Sequence, residues 1–476
     1  MLTPAEEMGL AGARLEARVR AAFGKLPVAE RLELLAKVEV EAKARHLWYL
    51  HDGVVETVRL MMKPLVVLPE QLAYVHVVTT TLHRALKRLA GLYFADPRVR
   101  SVLKLPETEE AWLLECWGQR QNDLNPVFGR LDAVADFTSS HWKETLKFLE
   151  PNMSGIGGLH MLPTADSIIR EVVVPALTRV DPGLELISGP DLRDLLMQYM
   201  LDTMESLGRT TRTVCFIEPK YAGDGPDEQS MIAGYLEGRY QVKVLHADPA
   251  ELRLVGDQVY FQDTPVDLGY RDYSVAEILA LEKEGVDVRP MRQLLREDRM
   301  VSSIAAEIDQ KSCWEVFTDP ELAQAHFTTE ERQIFRRHVL WTRIVSDRST
   351  TLPDGTRGPL LDYAREAREM LVLKPNRGYG GYGVRLGAAV DSTEWDQALE
   401  EALVAPDRFV LQALTPLPVR DFPVRSPDGG VIDEAYYTVY GFAPTPFGVS
   451  VLGRASQRQV VNVAQKGGLF SLFVGR

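Results

Sequence analysis

The first 116 residues carry a helical pattern of apolar positions. Leu32, Leu35 and Val38 recur at three-residue steps among Glu, Arg and Lys, and few glycines interrupt this part of the chain. Apolar residues at three- and four-residue steps line one face of a helix. The pattern therefore predicts that residues 1–116 form an all-helical region.

The pattern changes from helices to strands after Trp117. In residues 129–137 and 145–153, apolar residues either alternate with polar ones or follow one another, and each range has the length of a strand. A serine-containing turn lies between the two ranges. A period of two residues is typical of a half-buried strand. We therefore expect a sheet in this part of the chain.

A small α/β unit is predicted in the middle of the chain. Three short apolar runs lie at residues 213–217, 241–245 and 259–261, and a helical stretch at residues 229–236 lies between the first two. Strands that alternate with a helix favour an α/β arrangement. Helices then resume, and residues 371–476 are rich in strands separated by Gly and Pro turns.

Length and composition narrow the class of protein. A chain of 476 residues exceeds the ~250–300 residues at which one hydrophobic core stops growing, so two or three domains are expected. Hydrophobic residues at 45% and charged residues at 25% exclude a disordered or collagen-like chain. A formal charge of −13 repels nucleic-acid phosphates and anionic lipid, so we expect neither a nucleic-acid nor a membrane partner.

The cysteines and the N-terminus indicate a cytoplasmic protein. Cys116, Cys215 and Cys313 form no CxxC pair and have no zinc-ligand spacing. The first 20 residues contain no apolar segment of the secretory type, and no 18 apolar residues run together. Cys116 and Cys215, which have apolar neighbours in the sequence, are expected to behave as small buried hydrophobes.

The strongest local signal is a glycine-rich loop that follows an apolar strand. Residues 370–383 read MLVLKPNRGYGGYG, so the strand ends in Lys374. The glycines of the loop are Gly378, Gly380, Gly381 and Gly383. Because glycine has no side chain and tolerates positive φ, such a loop brings backbone amides against phosphate oxygens.

Other interpretations of this loop compete with phosphate binding. Gly378, Gly380 and Gly383 spell GxGxxG, but the dinucleotide fold needs a helix after the last glycine, whereas residues 384–387 alternate as a strand. The protein-kinase loop also lies between two strands, but its lysine follows the loop and no kinase catalytic motif occurs downstream. A plain hairpin turn stays open on this evidence.

A second set of candidate residues lies on the two strands predicted after Trp117. Arg130 and Asp132 are two apart, as are Glu150 and Asn152, so the four side chains converge if the strands are neighbours. Two carboxylates and an amide suit Mg²⁺, which completes its shell with phosphate oxygens and water. Arginine offers a bidentate fork to an anion. The alternative is a surface ion-pair cluster.

With these motifs the sequence resembles the circularly permuted ATP-grasp ligases, relatives of the synthetase domain of glutathionylspermidine synthase. In that family a glycine loop follows a strand with an ATP lysine, as it follows Lys374 here. The family's RxD and ExN arrangement also precedes its ATP lysines, as it does here. Lys311 in the sequence DQKS resembles the second phosphate-contacting lysine. The resemblance covers roughly residues 117–476.

The C-terminal part of the chain adds to the resemblance. Residues 409–414, with Gln412 and Leu414, are similar to the strand and hinge that meet adenine. The end of the chain, with Arg454 and Asn462, resembles the family's closing segment, although the usual double glycine before the arginine is absent. Arg271, in the middle unit, either binds an acceptor or forms a structural ion pair with an acid such as Asp272.

The resemblance implies a fold and a set of residue roles. The fold is α+β, a circularly permuted ATP-grasp fold with an α/β pre-grasp domain and an N-terminal helical region. The cofactors are ATP and Mg²⁺. The implied metal ligands are Asp132, Glu150 and Asn152. The implied catalytic residues are Arg130 and Arg454, and the implied ATP-binding residues are Lys311, Lys374, Gly378, Gly380, Gly381, Gly383, Gln412 and Leu414.

The resemblance also implies a domain order and an activity. The expected domains are a helical region (1–116), a metal- and phosphate-binding part (117–205), an α/β acceptor domain (206–300) and a nucleotide-binding part with a glycine-rich flap (301–476). The expected activity joins a small-molecule or peptide carboxylate to an amine through an acyl phosphate, releasing ADP and phosphate. A phosphotransferase to a small molecule and an inactive nucleotide-binding scaffold are the alternatives, and a homo-oligomer stays open.

Overall fold

The computed structural model describes residues 2–51, 54–221, 228–378, 380–405, 408–459 and 467–476. The helices are α1 (Pro4–Lys25), α2 (Val28–Ala44), α3 (Pro69–Ala95), α4 (Pro97–Val102), α5 (Glu107–Cys116), α6 (Gln119–Asp123), α7 (Trp142–Thr145), α8 (Met161–Val172), α9 (Val174–Val180), α10 (Leu192–Ser206), α11 (Glu228–Arg239), α12 (Val275–Lys283), α13 (Arg289–Arg296), α14 (Cys313–Thr318), α15 (Pro320–His326), α16 (Thr329–His338), α17 (Leu360–Glu366) and α18 (Ser392–Val404).

The strands are β1 (Trp48–His51), β2 (Val54–Thr57), β3 (Arg59–Val67), β4 (Arg130–Val134), β5 (Lys147–Asn152), β6 (Leu186–Ser188), β7 (Thr213–Ile217), β8 (Lys243–Ala247), β9 (Leu252–Val255), β10 (Gln258–Phe261), β11 (Thr264–Pro265), β12 (Leu268–Arg271), β13 (Met300–Val301), β14 (Thr342–Ile344), β15 (Ser349–Thr351), β16 (Arg357–Pro359), β17 (Leu371–Pro375), β18 (Arg385–Leu386), β19 (Phe409–Ala413), β20 (Val419–Arg425), β21 (Val431–Thr445), β22 (Gly448–Ser456) and β23 (Gly468–Gly475). The chain is thus a mixed α/β protein.

The prediction that residues 1–116 are helical throughout is wrong for the stretch that forms β1, β2 and β3. Strand β3 pairs in parallel with β23, the last strand of the chain, and is buried from Leu60 to Val67. A continuous apolar run fits a buried strand as well as a buried helix, because it lacks a distinguishing period. The N-terminal region therefore contributes directly to the central sheet. Helices α1 to α5 agree with the prediction.

The main sheet of the described residues has eight strands and lies between two layers of helices. Its path is β3-β23-β22-β21-β4-β5, with β20 and β6 paired to β21 and β23. One face packs on α3 through residues such as Met61 and Phe470, and the other packs on α1, α2, α8 and α10 through residues such as Met62 and Phe473. Apolar residues on both faces make this sheet the centre of the fold.

The predicted α/β unit agrees with the structure for the runs that form β7 and β8, whereas the third run, residues 259–261, belongs to β10 in a separate antiparallel sheet, β11-β10-β9. Strands β8, β7, β12 and β13 form a parallel sheet, and α11 lies between β7 and β8 in the chain. Arg271 at the end of β12 is fully buried, and its Nη1 donates to Glu307 Oε1 at 2.5 Å. Of the two roles considered for Arg271, the structural ion pair is therefore the one seen, with Glu307 as the acid.

A smaller antiparallel sheet, β14-β19-β17-β18, carries the predicted glycine-rich loop between β17 and β18. Helices α17 and α18 cover it, with Trp395, Leu360 and Leu411 in a separate apolar core. Within the described residues, the structure contains no helix with the length and apolar character needed to span a membrane.

Candidate active site

A cavity of about 840 Å³ lies between the main sheet and the smaller antiparallel sheet. Strands β4, β5, β21 and β22 contribute to one side, and β17, β19 and the glycine-rich loop contribute to the other. The predicted residues that line it are Arg130, Asp132, Glu150, Asn152, Lys311, Lys374, Gly378, Gly380, Gly381, Gln412, Leu414 and Arg454. The fold thus collects residues that are scattered over more than half of the sequence.

The four charged and amide side chains of β4 and β5 converge as the alternation predicted. The strands are antiparallel neighbours, with Asp132 opposite Glu150 and Arg130 opposite Asn152. The register then shifts, so that Leu149 is an extra residue on β5. Such bulges re-aim side chains and occur next to functional sites.

Asp132 is held between two arginines. Arg130 Nε lies 3.0 Å from Asp132 Oδ1, and Arg454 Nη2 lies 2.7 Å from Asp132 Oδ2. The side chain of Asp132 is 4% exposed, and burial pushes its pKa upward, but Arg454 and Arg130 hold the pKa below the ordinary value. Asp132 is therefore ionised at neutral pH and fixes both guanidinium groups.

Lys311 links Glu150 to the glycine-rich loop. Its Nζ donates to the carbonyl of Gly378 at 2.6 Å and lies 3.2 Å from Glu150 Oε2. The backbone of this segment is bonded to Asn376, the residue that follows β17. The Lys311 amide donates to the Asn376 carbonyl at 3.0 Å, and the Ser312 amide donates to the side-chain oxygen of Asn376 at 2.9 Å. The two lysine segments are thus one unit.

Lys374 faces the same end of the cavity. Its Nζ donates to Gln412 Oε1 at 2.9 Å, and the Gln412 amide donates in turn to the carbonyl of Leu149 and the hydroxyl of Thr342, each at 3.0 Å. Burial lowers the pKa of Lys374 to about 8, although Glu150 partly opposes this shift. Gln412 is 1% exposed. Its bonds to Leu149 and Thr342 fix the orientation of its side chain, whose oxygen then holds Lys374 in place.

The glycines of the loop have different roles. Gly380, Gly381 and Gly383 have φ of 71°, 75° and 71°, a region that favours glycine. Gly383 does not line the cavity, and a Cβ there would lie 2.9 Å from Pro375 Cγ, so this glycine closes the turn against the strand. Strand, glycine loop and strand follow one another as predicted, with β18 in place of the helix of a dinucleotide fold.

The rest of the cavity is mainly apolar, although the carboxylate Glu369 also lines it. Val372, Leu386, Leu340 and Tyr363 line it beside the hinge that follows β19. The amide of Leu414 donates to the carbonyl of Met370 at 2.8 Å, so this hinge amide already has a partner. An apolar slot of this kind suits a flat aromatic ring.

Sequence reasoning missed Tyr437 and Val439, which line the cavity from β21, and Gly155 and Tyr363. The alternation of Tyr437, Val439 and Gly441 along a strand could have indicated a shared face. Asn462 of the closing segment lies outside the described residues.

The donor set at the charged end fits Mg²⁺. Asp132 and Glu150 are neighbours on paired strands, and Asn152 adds an amide oxygen two residues on. Among the described residues no group of three or more His, Cys, Asp and Glu side chains could hold a metal alone. Mg²⁺ typically uses one or two carboxylates together with substrate phosphates, so this set is of the right size and chemistry.

Gly441 on β21 makes room for Arg130. It pairs with Asp132, and a Cβ at Gly441 would lie 2.5 Å from Arg130 Cδ and 2.9 Å from its Nε. We expect Gly441→Ala to displace Arg130 from Asp132 and to lower kcat/KM for any ATP-dependent reaction by about 10- to 150-fold, the equivalent of one charge-assisted bond of ~1.5–3 kcal/mol.

Steady-state kinetics with a thermal melt checks this expectation. Gly24→Ala is the matched control, because a Cβ there meets no atom within 4 Å. Unchanged kinetics in folded Gly441→Ala would show that the position of Arg130 is unimportant for turnover.

The three cysteines are buried, as predicted for Cys116 and Cys215, and burial raises the pKa of Cys116 to about 12. A thiol with such a pKa stays protonated at neutral pH and is a poor nucleophile. The cysteines thus take no part in the candidate site.

Comparison with solved structures identifies a similar fold. The chain is similar to a glutathione synthetase like-effector (GSS30) from Globodera pallida in its apo form, with 14% sequence identity and a TM-score of 0.60. The alignment covers 94% of this chain and 98% of that one. No protein-family profile and no curated sequence matches the chain. The likeness shows a glutathione synthetase-like fold over almost the whole length of the molecule.

Proposed function

We propose that the protein is an ATP-dependent carboxylate–amine ligase of the ATP-grasp type. The observation that carries the proposal is the charge arrangement of the cavity. Arg130, Arg454, Lys311 and Lys374 line the cavity together with the carboxylates Asp132 and Glu150, and Glu369 is the remaining charged residue of its described lining. Four cationic groups against three anionic groups leave the lining with an excess of one positive charge, in a protein whose net charge is −13.

The proposed binding mode follows from this polarity. A triphosphate suits the charged end, where Lys311 and Lys374 donate to its oxygens and the amides of the loop with Gly380 and Gly381 lie alongside. The adenine ring suits the apolar end beside Val372 and Leu386. In this proposal, Gln412 acts through Lys374 and does not touch the ring.

The chain's own residues would then align the reacting groups. Arg130 and Arg454, fixed by Asp132, offer a guanidinium pair to the substrate carboxylate and the γ-phosphate. Asp132, Glu150 and Asn152 would hold Mg²⁺, which neutralises charge on the outer phosphates when it is bound. The glycine-rich hairpin covers the site and excludes water from an activated acyl group.

The experiment that tests the function identifies the products of ATP cleavage. A ligase of this type forms ADP, and hydroxylamine supplied in place of the amine traps the activated acid as a hydroxamate in proportion to ADP. A panel of amino acids, peptides and polyamines, assayed for ADP release, identifies the substrates. Glu144→Gln, an exposed carboxylate on α7, is the control variant.

The possible outcomes separate the candidate functions. AMP as the product would overturn the mechanism. ADP formed with a phosphorylated acceptor and no hydroxamate would assign a phosphotransferase, which uses the same ATP site. ATP binding with no product from any acceptor would favour a scaffold, a reading consistent with the description of the structural neighbour as an effector.

A further inference from the structure

A second cavity, of about 330 Å³, lies apart from the candidate active site, and no residue lines both. It is enclosed by α8, the loop after β6, the start of α10, α11 and β22. At ~30 Å³ per water, its volume corresponds to about ten water molecules or a ligand of similar size. This is room for a small metabolite but is far less than the active-site cavity.

Four of the charged residues that line the second cavity already have partners. Arg193 forms a two-point bond with Asp191, at 3.1 and 2.7 Å, and its guanidinium lies 3.8 Å from the centre of the Tyr235 ring. Asp194 accepts from the hydroxyl of Tyr235 at 2.9 Å, and Arg239 Nε lies 2.9 Å from the same carboxylate. These groups build a rigid wall with balanced charge.

Asp166 and Ser188 are different. Asp166 Oδ1 and Ser188 Oγ are buried, and neither atom has a hydrogen-bond partner among the described residues. A buried polar atom without a partner costs about 1–3 kcal/mol, so each such atom needs an explanation. Burial raises the pKa of Asp166 to about 7, and the hydroxyl of Ser471 and the charge of Arg170 only partly offset this effect.

Arg170 supplies a cation at the same cavity. It lies four residues after Asp166 on α8, so the two side chains share one face of the helix. Its guanidinium is half exposed, and its contact with Glu171 is 3.4 Å long. The unsatisfied groups of the cavity are therefore one carboxyl and one hydroxyl, with a weakly paired guanidinium a helical turn away.

We propose that this second cavity binds a small zwitterion of the α-amino acid class, with its ammonium group on Asp166 and Ser188 and its carboxylate on Arg170. The two charges of an α-amino acid are separated by a few ångströms, which matches two side chains one helical turn apart. A single anion would leave Asp166 unpaired, and a single cation would leave Arg170 to solvent. Both charges of the ligand are needed to satisfy the cavity.

The site is independent of the proposed ligase chemistry. Ser450 of the second cavity and Arg454 of the first lie on the same face of β22, four residues apart, which separates their backbones by about 14 Å. A ligand in one cavity therefore does not occupy the other. Substitutions in the two cavities can be tested separately.

Isothermal titration calorimetry of the full chain with L-serine tests the proposal. Ethylammonium and propionate are the single-charge probes. We expect saturable serine binding, and we expect Asp166→Asn and Arg170→Gln each to weaken it at least tenfold. Lys374→Met, in the active-site cavity, and Asp202→Asn, an exposed position of α10, are expected to leave it unchanged.

Each outcome decides for or against the site. Because Arg170 is half exposed, Arg170→Gln keeps the test valid even if Asp166→Asn fails to fold. Absence of serine binding, or propionate or ethylammonium binding as tightly as serine, would overturn the proposal. Serine binding that is lost in Lys374→Met but kept in Arg170→Gln would also overturn it, by assigning the amino acid to the active-site cavity.

Discussion

Asparagine in place of Asp132 is expected to lower Mg²⁺-dependent ATP turnover by at least about 10²–10³-fold. The carboxylate holds Arg130 at 3.0 Å and Arg454 at 2.7 Å, and it is a proposed metal ligand. An asparagine amide directs an N–H toward one of the guanidinium groups, where both partners are donors. The expected result is the simultaneous loss of the metal ligand and of the alignment of both arginines.

Stability must be measured in the same experiment. Asp132 is buried, and breaking a buried ion pair by removal of one partner costs about 3–5 kcal/mol, so the melting temperature of Asp132→Asn is expected to fall. Glu150→Gln separates the two effects, because the Glu150 side chain is 28% exposed, whereas that of Asp132 is 4% exposed and held by two arginines. We expect Glu150→Gln to keep its melting temperature and to lose turnover.

Colorimetric phosphate release against Mg²⁺ concentration measures the effect. A normal rate and normal Mg²⁺ dependence in folded Glu150→Gln would show that the metal is not bound by the residues of β4 and β5. The surface carboxylate Glu144, replaced by glutamine, provides the reference for a change of charge alone.

The convergence of the candidate site could be predicted because it depends on local periods. Arg130 and Asp132 alternate along one strand, as do Glu150 and Asn152 along the next, and strands that are consecutive in the chain usually pair. The glycine-rich loop could also be predicted, because a tight loop needs residues of positive φ, and glycine meets this need at its own position in the sequence. These features need no knowledge of distant residues.

Contacts between distant segments could not be predicted in the same way. Strand β3 is an apolar run whose identity as a strand is fixed by β23, at the other end of the chain. The acid paired with Arg271 is Glu307, which lies 36 residues further along the chain, so no local pattern indicates the pair. The bond between Gln412 and Lys374 depends on the register of two strands.

Methionine at Lys374 is expected to weaken ATP binding by about 10- to 150-fold, the loss of one charge-assisted contact of ~1.5–3 kcal/mol. Lys311→Met is expected to act similarly, since Lys311 bridges Glu150 and the loop carbonyl of Gly378. Titration with a non-hydrolysable ATP analogue measures both affinities. Unchanged affinity in both folded variants would leave the glycine-rich loop as an ordinary turn.

Lys374 also gives nucleotide binding a defined pH dependence. Its pKa of about 8 in the free protein means that about half of the molecules carry a neutral Lys374 at pH 8. An adjacent triphosphate favours the charged form and raises this pKa, so the complex binds more protons than the free protein. Binding at pH 8 should therefore take up about half a proton, binding at pH 6 should take up none through this group, and affinity should fall as the pH rises above 8.

Calorimetry in two buffers of different ionisation enthalpy measures the proton uptake directly. Lys374→Arg is the matched control, because arginine keeps the positive charge and does not titrate in this range. It should retain part of the affinity and show no uptake at pH 8. Uptake that persists in Lys374→Arg would assign the proton to another group, whereas its disappearance together with retained binding would identify Lys374 as the lysine that meets the phosphates.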